Sequence, residues 1–205
     1  MLDIAARRLI DPTLNYFASF FAKHGVSANT VTLIGFSFGV LSWIFLSIKL
    51  YAIALGLIYA NRIFDGIDGL IAQKTISTVI GGYLDIVLDF IFYSGVPFFF
   101  LIGQPETALP ASFLIFSFVG TGSSFLAYGI FAAKHHIKND KYQNKAIHYL
   151  GGLTEGTETI IFFTLICILP EYFSNIAWIF GGLCWITTFT RITQAFLNLK
   201  HLENN

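Results

Sequence analysis

Between residues 30 and 196 the chain is a succession of six apolar segments, roughly 30–48, 51–72, 77–102, 110–133, 150–169 and 173–196. Each is long enough, or nearly so, to cross the ~30 Å hydrocarbon core of a bilayer as a helix. The turns between them are short: Lys49-Leu50, Lys74–Ser77, Gly103–Leu109 with Pro105 and Pro110 around it, and Pro170-Glu171. The one long polar connection is Lys134–His148. With 55% hydrophobic and only 12% charged residues, against about 25% charged in a soluble domain, the prediction is an all-α polytopic membrane protein. It is read as a single domain over 1–205, with six transmembrane helices forming a bundle over 30–196.

Residues 2–23 are predicted to form an amphipathic helix on the membrane surface. Leu2, Ala6, Leu9, Ile10, Leu14, Phe17, Phe20 and Phe21 recur at helical spacing, opposite Asp3, Arg7, Arg8 and Asn15. Asp11-Pro12 reads as an N-cap followed by proline at a first helical position, which leaves two short helices open as an alternative. Arg7, Arg8, Asp11 and Pro12 also interrupt the apolar core that a cleavable signal peptide needs.

Basic residues set the orientation. With the N-terminus in the cytoplasm, Arg7, Arg8, Lys23, Lys74, Lys134, Lys138, Lys141, Lys145 and Lys200 fall inside, and only Lys49 falls outside. The expected location is the inner (cytoplasmic) membrane of a bacterium, with the site facing the cytoplasm. Net charge is zero, and no Lys/Arg cluster interleaves with aromatics, so nucleic acid is not an expected partner. Cys167 and Cys184 both lie in apolar runs and read as buried thiols rather than a disulfide or zinc pair.

Against this apolar background stand four carboxylates. Asp65 and Asp68 are three residues apart, and Asp85 and Asp89 are four apart. On a helix each spacing puts its pair on one face, and the predicted topology brings both pairs to the cytoplasmic ends of the second and third spans. Carboxylates at membrane depth are costly and mark function by default. Only Arg62 and Lys74 lie close in sequence as counter-charges. One or two hard divalent cations, Mg²⁺ or Mn²⁺, compensate oxygen ligands of this kind. Asp65, Asp68, Gly69 and Ala72 form one helical stripe and Gly81, Asp85 and Asp89 a second. The small residues leave room for a bulky ligand beside the backbone. Ions between the stripes suit a pyrophosphate, and one carboxylate is free to act as general base.

This spacing resembles the signature of the CDP-alcohol phosphatidyltransferase family, D-x2-D-G-x2-A-R-x8-G-x3-D-x3-D. Asp65, Asp68, Gly69, Ala72, Gly81, Asp85 and Asp89 stand in the matching order. Gln73 replaces the motif arginine, and seven residues rather than eight separate it from Gly81. Ala28-Asn29-Thr30-Val31-Thr32 is similar to the family's usual lead-in to the first span, with Ala for Pro. The resemblance implies attack of an alcohol hydroxyl on the lipid-side phosphate of a CDP-linked lipid, with release of CMP. It implies metal ligation by Asp65, Asp68 and Asp85, with Asp89 as the base or as a ligand of a second metal. It also implies a CDP-donor site at Asp65, Asp68, Gly69, Ala72, Gln73 and Gly81, and a homodimer. A divalent-cation transporter and a membrane prenyltransferase are the alternative readings.

The acceptor is not legible. Lys134, Lys138 and Lys141 either bind an acceptor phosphate or simply follow the positive-inside rule. Arg191, near the inner end of the last span, binds such a phosphate or pairs with Glu155 or Glu158. Glu155 and Glu158 themselves either bind the acceptor or form an acidic first helical turn.

Overall fold

Among the described residues, 3–135 and 152–203, a computed structural model shows seven α-helices. They are α1 (Asp3–Lys23), α2 (Ala28–Ser47), α3 (Tyr51–Lys74), α4 (Val79–Gly103), α5 (Ala108–Lys134), α6 (Gly156–Ile168) and α7 (Phe173–Glu203). Short 3-10 turns at Pro105–Thr107 and Pro170–Tyr172 lead into α5 and α7.

Local signals explain the ends. Ser27 accepts a hydrogen bond from the Thr30 N–H and caps α2, and Thr78 accepts one from the Gly81 N–H and caps α4. The chain leaves α1 through Gly25 at φ 73°, with the Val26 N–H donating to the Phe21 carbonyl at 3.1 Å. It leaves α2 in the same way, the Leu50 N–H donating to the Phe45 carbonyl at 2.9 Å. Here the left-handed position, which favours glycine, is Lys49 at φ 63°.

Four stretches are long and apolar enough to cross a membrane: α2, α4, α5 with its leading turn, and α7 with its leading turn as far as Lys200. The chain is an integral membrane protein. The expectation of six spans meets two exceptions. α3 has the length, 24 residues, but carries Arg62, Asp65, Asp68 and Lys74. α6 has 13 residues, a rise of roughly 20 Å. In the fifth segment, expected from residue 150, helix α6 begins at Gly156, and residues 152–155 before it are not helical. The Glu155 side chain accepts from the backbone of Glu158, and Glu158 accepts from the Glu155 N–H, a reciprocal capping box that fixes the helix start there.

The N-terminal segment follows the single-helix reading, with no break at Asp11-Pro12. α1 is one helix that runs through Pro12. The ring removes one backbone bond, but Leu14 and Ala18, just beyond it, are buried with Ile67 and Ile71 of α3 and hold the axis in line. Ile10, Phe17 and Phe20 stay exposed.

α2 and α4 run parallel and close together. Asn29 lies against Gly81, Gly39 against Phe92 and the Leu46 carbonyl against Gly103. Trp43 sits directly on Gly95, where a Cβ would overlap the indole, and stacks on Phe99 at 5.2 Å between ring centroids. α5 and α7 form a second parallel pair through Phe113–Trp178, Phe116–Trp185 and the Asn198 bond to the Tyr128 hydroxyl. Between the pairs, Phe92, Phe100, Phe162, Phe163 and Phe173 make the aromatic core, with Phe100 and Phe173 stacked at 4.1 Å.

Candidate active site

α3 and α4 each bring one carboxylate pair to a single open cavity. Asp65, Asp68, Asp85 and Asp89 all line it, together with Arg62, Asn61 and Thr32. Two close approaches place these side chains. On α2, a Cβ at Gly35 would collide with Phe64 of α3, so glycine allows α2 and α3 to pack backbone to backbone. On the far side of α3, a Cβ at Gly66 would meet Leu14 of α1 at 2.7 Å. α3 is thus clamped while its acidic stripe faces α4.

The carboxylates differ in environment. Asp68 is 4% exposed, and its Oδ2 is buried without a hydrogen-bond partner among the described residues. Asp85 is exposed. Asp65 and Asp89 are each about one-third exposed and share a counter-ion, Arg62. Arg62 Nη2 donates to Asp89 Oδ1 at 2.7 Å, and Nη1 lies 3.6 Å from Asp65 Oδ2. Arg62 Nη1 also donates to the Tyr93 hydroxyl at 2.9 Å, and Nε donates to Asn61 Oδ1 at 2.8 Å. Asn61, 3% exposed, donates in turn to the Gly35 carbonyl at 2.9 Å. This Gly35–Asn61–Arg62–Asp89 chain crosses three helices. Arg62 was legible as a counter-charge three residues before Asp65, and Thr32 as the last residue of the lead-in to the first span; the cross-helix bond from Arg62 to Asp89 was not, and neither were Asn61 and Tyr93.

Among the described residues, no group of three or more His, Cys, Asp or Glu side chains is drawn together as a ready cation site; the guanidinium holds two of the four carboxylates instead. The donors still fit a hard divalent ion, since four oxygen ligands line one cavity and the buried Asp68 Oδ2 lacks a partner.

The other expected site residues are more scattered. Gly69 is exposed, with open space where a Cβ would stand. Ala72 is half-buried and Gln73 exposed. Gly81 has a packing role as well, because a Cβ there would strike the Asn29 side chain. Arg191 is buried, donates to the Thr121 carbonyl at 3.1 Å and lies over the Phe125 ring at 5.6 Å. Neither Arg191 nor Lys134, which is exposed at the end of α5, lines the carboxylate cavity. Lys138 and Lys141 lie outside the described residues. Glu155 and Glu158 form the capping box of α6, an acidic first helical turn.

A model of the CDP-alcohol phosphatidyltransferase family matches residues 26–190. The inner membrane protein YnjF of Escherichia coli (strain K12) is 49% identical over 204 residues, covering 99% of each chain. An uncharacterised protein of Aquifex aeolicus (strain VF5) is 28% identical over 151 residues, 73% of this chain and 70% of that one. Two solved structures of Mycobacterium tuberculosis phosphatidylinositol phosphate synthase (PgsA1) share the fold. The form with CDP-DAG bound has a TM-score of 0.71 at 16% identity, covering 89% of this chain and 93% of its own. The form in complex with manganese and citrate has a TM-score of 0.70 at 18% identity, covering 89% and 88%.

Proposed function

The chain belongs to the CDP-alcohol phosphatidyltransferase family, and on that premise we propose that it moves a phosphatidyl or related phospho-group from a CDP-linked lipid, such as CDP-diacylglycerol, to the hydroxyl of a small alcohol. The observation that carries this reading is the convergence of Asp65, Asp68, Asp85 and Asp89, from two helices of an apolar bundle, on one cavity. A CDP-DAG-bound structure of the same fold supports the donor class, and a manganese-bound one supports a divalent ion.

In this reading the four aspartates hold one or two Mg²⁺ or Mn²⁺ ions, which when bound neutralise the pyrophosphate and favour departure of CMP. Asp89 takes the proton from the acceptor hydroxyl as its oxygen bonds to the lipid-side phosphorus. The phosphorus–oxygen bond to CMP breaks, and its electron pair leaves with CMP. The open space at Gly69, with Ala72 one turn on, admits the nucleotide beside α3. Gln73 offers a neutral amide where the family signature has a cation, so the donor phosphates lack that charge here. For an acceptor that itself carries phosphate, Arg191 with Lys134, Lys138 and Lys141 is the proposed cationic set. The basic-residue asymmetry supports six membrane crossings, α1 on the bilayer surface and a cytoplasmic opening of the site. The resemblance supports a homodimer.

The test uses purified protein in proteoliposomes with labelled CDP-diacylglycerol and a panel of alcohols, products being identified by mass. CMP release should require Mg²⁺ or Mn²⁺. Asp85→Asn should abolish both CMP release and Mn²⁺ binding while leaving thermal unfolding in EDTA near wild type. Metal-dependent CMP release that survives Asp85→Asn would overturn the assignment.

A further inference from the structure

We propose that Arg62 is the resident counter-cation of the carboxylate cavity: a positioning residue that competes with the divalent ion and so sets its affinity. This rests on the reading of the four aspartates as a metal site.

The side chain of Arg62 is only 9% exposed, and each of its three nitrogens donates a hydrogen bond. Nε is held by Asn61 Oδ1, Nη1 by the Tyr93 hydroxyl and Nη2 by Asp89 Oδ1. The guanidinium lies 4.6 Å from the Phe92 ring centroid and 4.9 Å from that of Tyr93, so aromatic faces cover it as well. A surface arginine that merely found a carboxylate would not have three independent tethers from two helices. This one is aimed.

Its target is a cavity in whose lining Arg62 is the one cation among the described residues. Four carboxylates share the cavity, and Lys74, the other basic residue at this end of α3, is exposed. Without a cation the carboxylates repel one another. Arg62 supplies one permanent charge, to Asp89 and at longer range to Asp65. An incoming divalent ion needs carboxylates from the same set. It must either take Asp65 and Asp89 from the guanidinium or share the cavity with it. Both routes oppose binding, because like charges repel and displacing the guanidinium breaks its ion pair with Asp89. By linkage, whatever Arg62 contributes to the metal-free form and loses on metal binding reappears as weaker metal affinity. The gain is a site that holds its shape when empty.

The experiment measures Mn²⁺ binding to the purified full chain, from the spectroscopic signal of free Mn²⁺, and thermal unfolding in EDTA and in saturating Mn²⁺. Arg62→Met should tighten Mn²⁺ binding by at least about tenfold. It should lower the melting temperature in EDTA much more than in saturating Mn²⁺. Arg62→Lys keeps the charge without the fork and should fall between wild type and Arg62→Met. Tyr93→Phe removes a single tether and should tighten binding by about two- to threefold; it serves in place of Arg62→Met if that variant does not fold. An unchanged Mn²⁺ affinity in the variants, or equal loss of melting temperature with and without Mn²⁺, would reduce Arg62 to a structural tether and overturn the proposal alone. A wild-type chain that binds no Mn²⁺ would overturn the metal reading beneath it.

Discussion

Replacing Asn61 with leucine tests how the site is held together. The side chain is buried, and both of its polar ends are used: Nδ2 to the Gly35 carbonyl and Oδ1 from Arg62 Nε. Leucine is of similar size, so lost hydrogen bonding dominates over a cavity term. The two losses are unequal. The Gly35 carbonyl keeps its bond within α2, so losing the extra donor costs what a typical interhelical bond in a membrane protein is worth, about 0.6 kcal/mol. The Arg62 Nε–H is a charged donor in a buried place, and stranding it costs about 1.5–3 kcal/mol. The sum is about 2–3.5 kcal/mol, mostly from the arginine. Unfolding in mixed micelles, followed by tryptophan fluorescence, reads the change. In an Arg62→Met background the same substitution should cost only the smaller share, about 0.6 kcal/mol. The reasoning fails if Asn61→Leu changes stability by less than about 0.5 kcal/mol, or if its cost is the same in both backgrounds.

Lys49→Gly should stabilise the protein by about 0.5–1 kcal/mol in the same unfolding assay. Relief of the left-handed backbone at φ 63°, worth about 1–2 kcal/mol, outweighs the extra chain entropy that glycine loses. Single cysteines at Lys74 and Lys49 should react with an impermeant maleimide from opposite faces, Lys74→Cys only in inverted vesicles and Lys49→Cys only in intact cells. The background is low because Cys167 and Cys184 are buried, and labelling of both cysteines from one face would refute the orientation.

Much of this protein is written locally. A helix in lipid satisfies its backbone within the segment, so apolar length and capping residues alone place α2, α3, α4 and α5 to within a few residues of the segments read from the chain. Helical periodicity likewise puts Asp65 with Asp68 and Asp85 with Asp89 before any packing is known. What the sequence could not determine is which faces meet. These helices are apolar nearly all round, and lipid is as apolar as a neighbouring helix, so hydrophobicity does not mark the packed side. Close approach at Gly35, Gly66 and Gly95 decides it, and that depends on the shape of the facing surface. The same packing decided that α1 continues through Pro12, because Leu14 found Gly66. It also decided that Arg62 bonds Asp89, 27 residues away, as well as facing Asp65. A charge at membrane depth must find a partner, but only the arrangement of α2, α3 and α4 determines which one lies within reach.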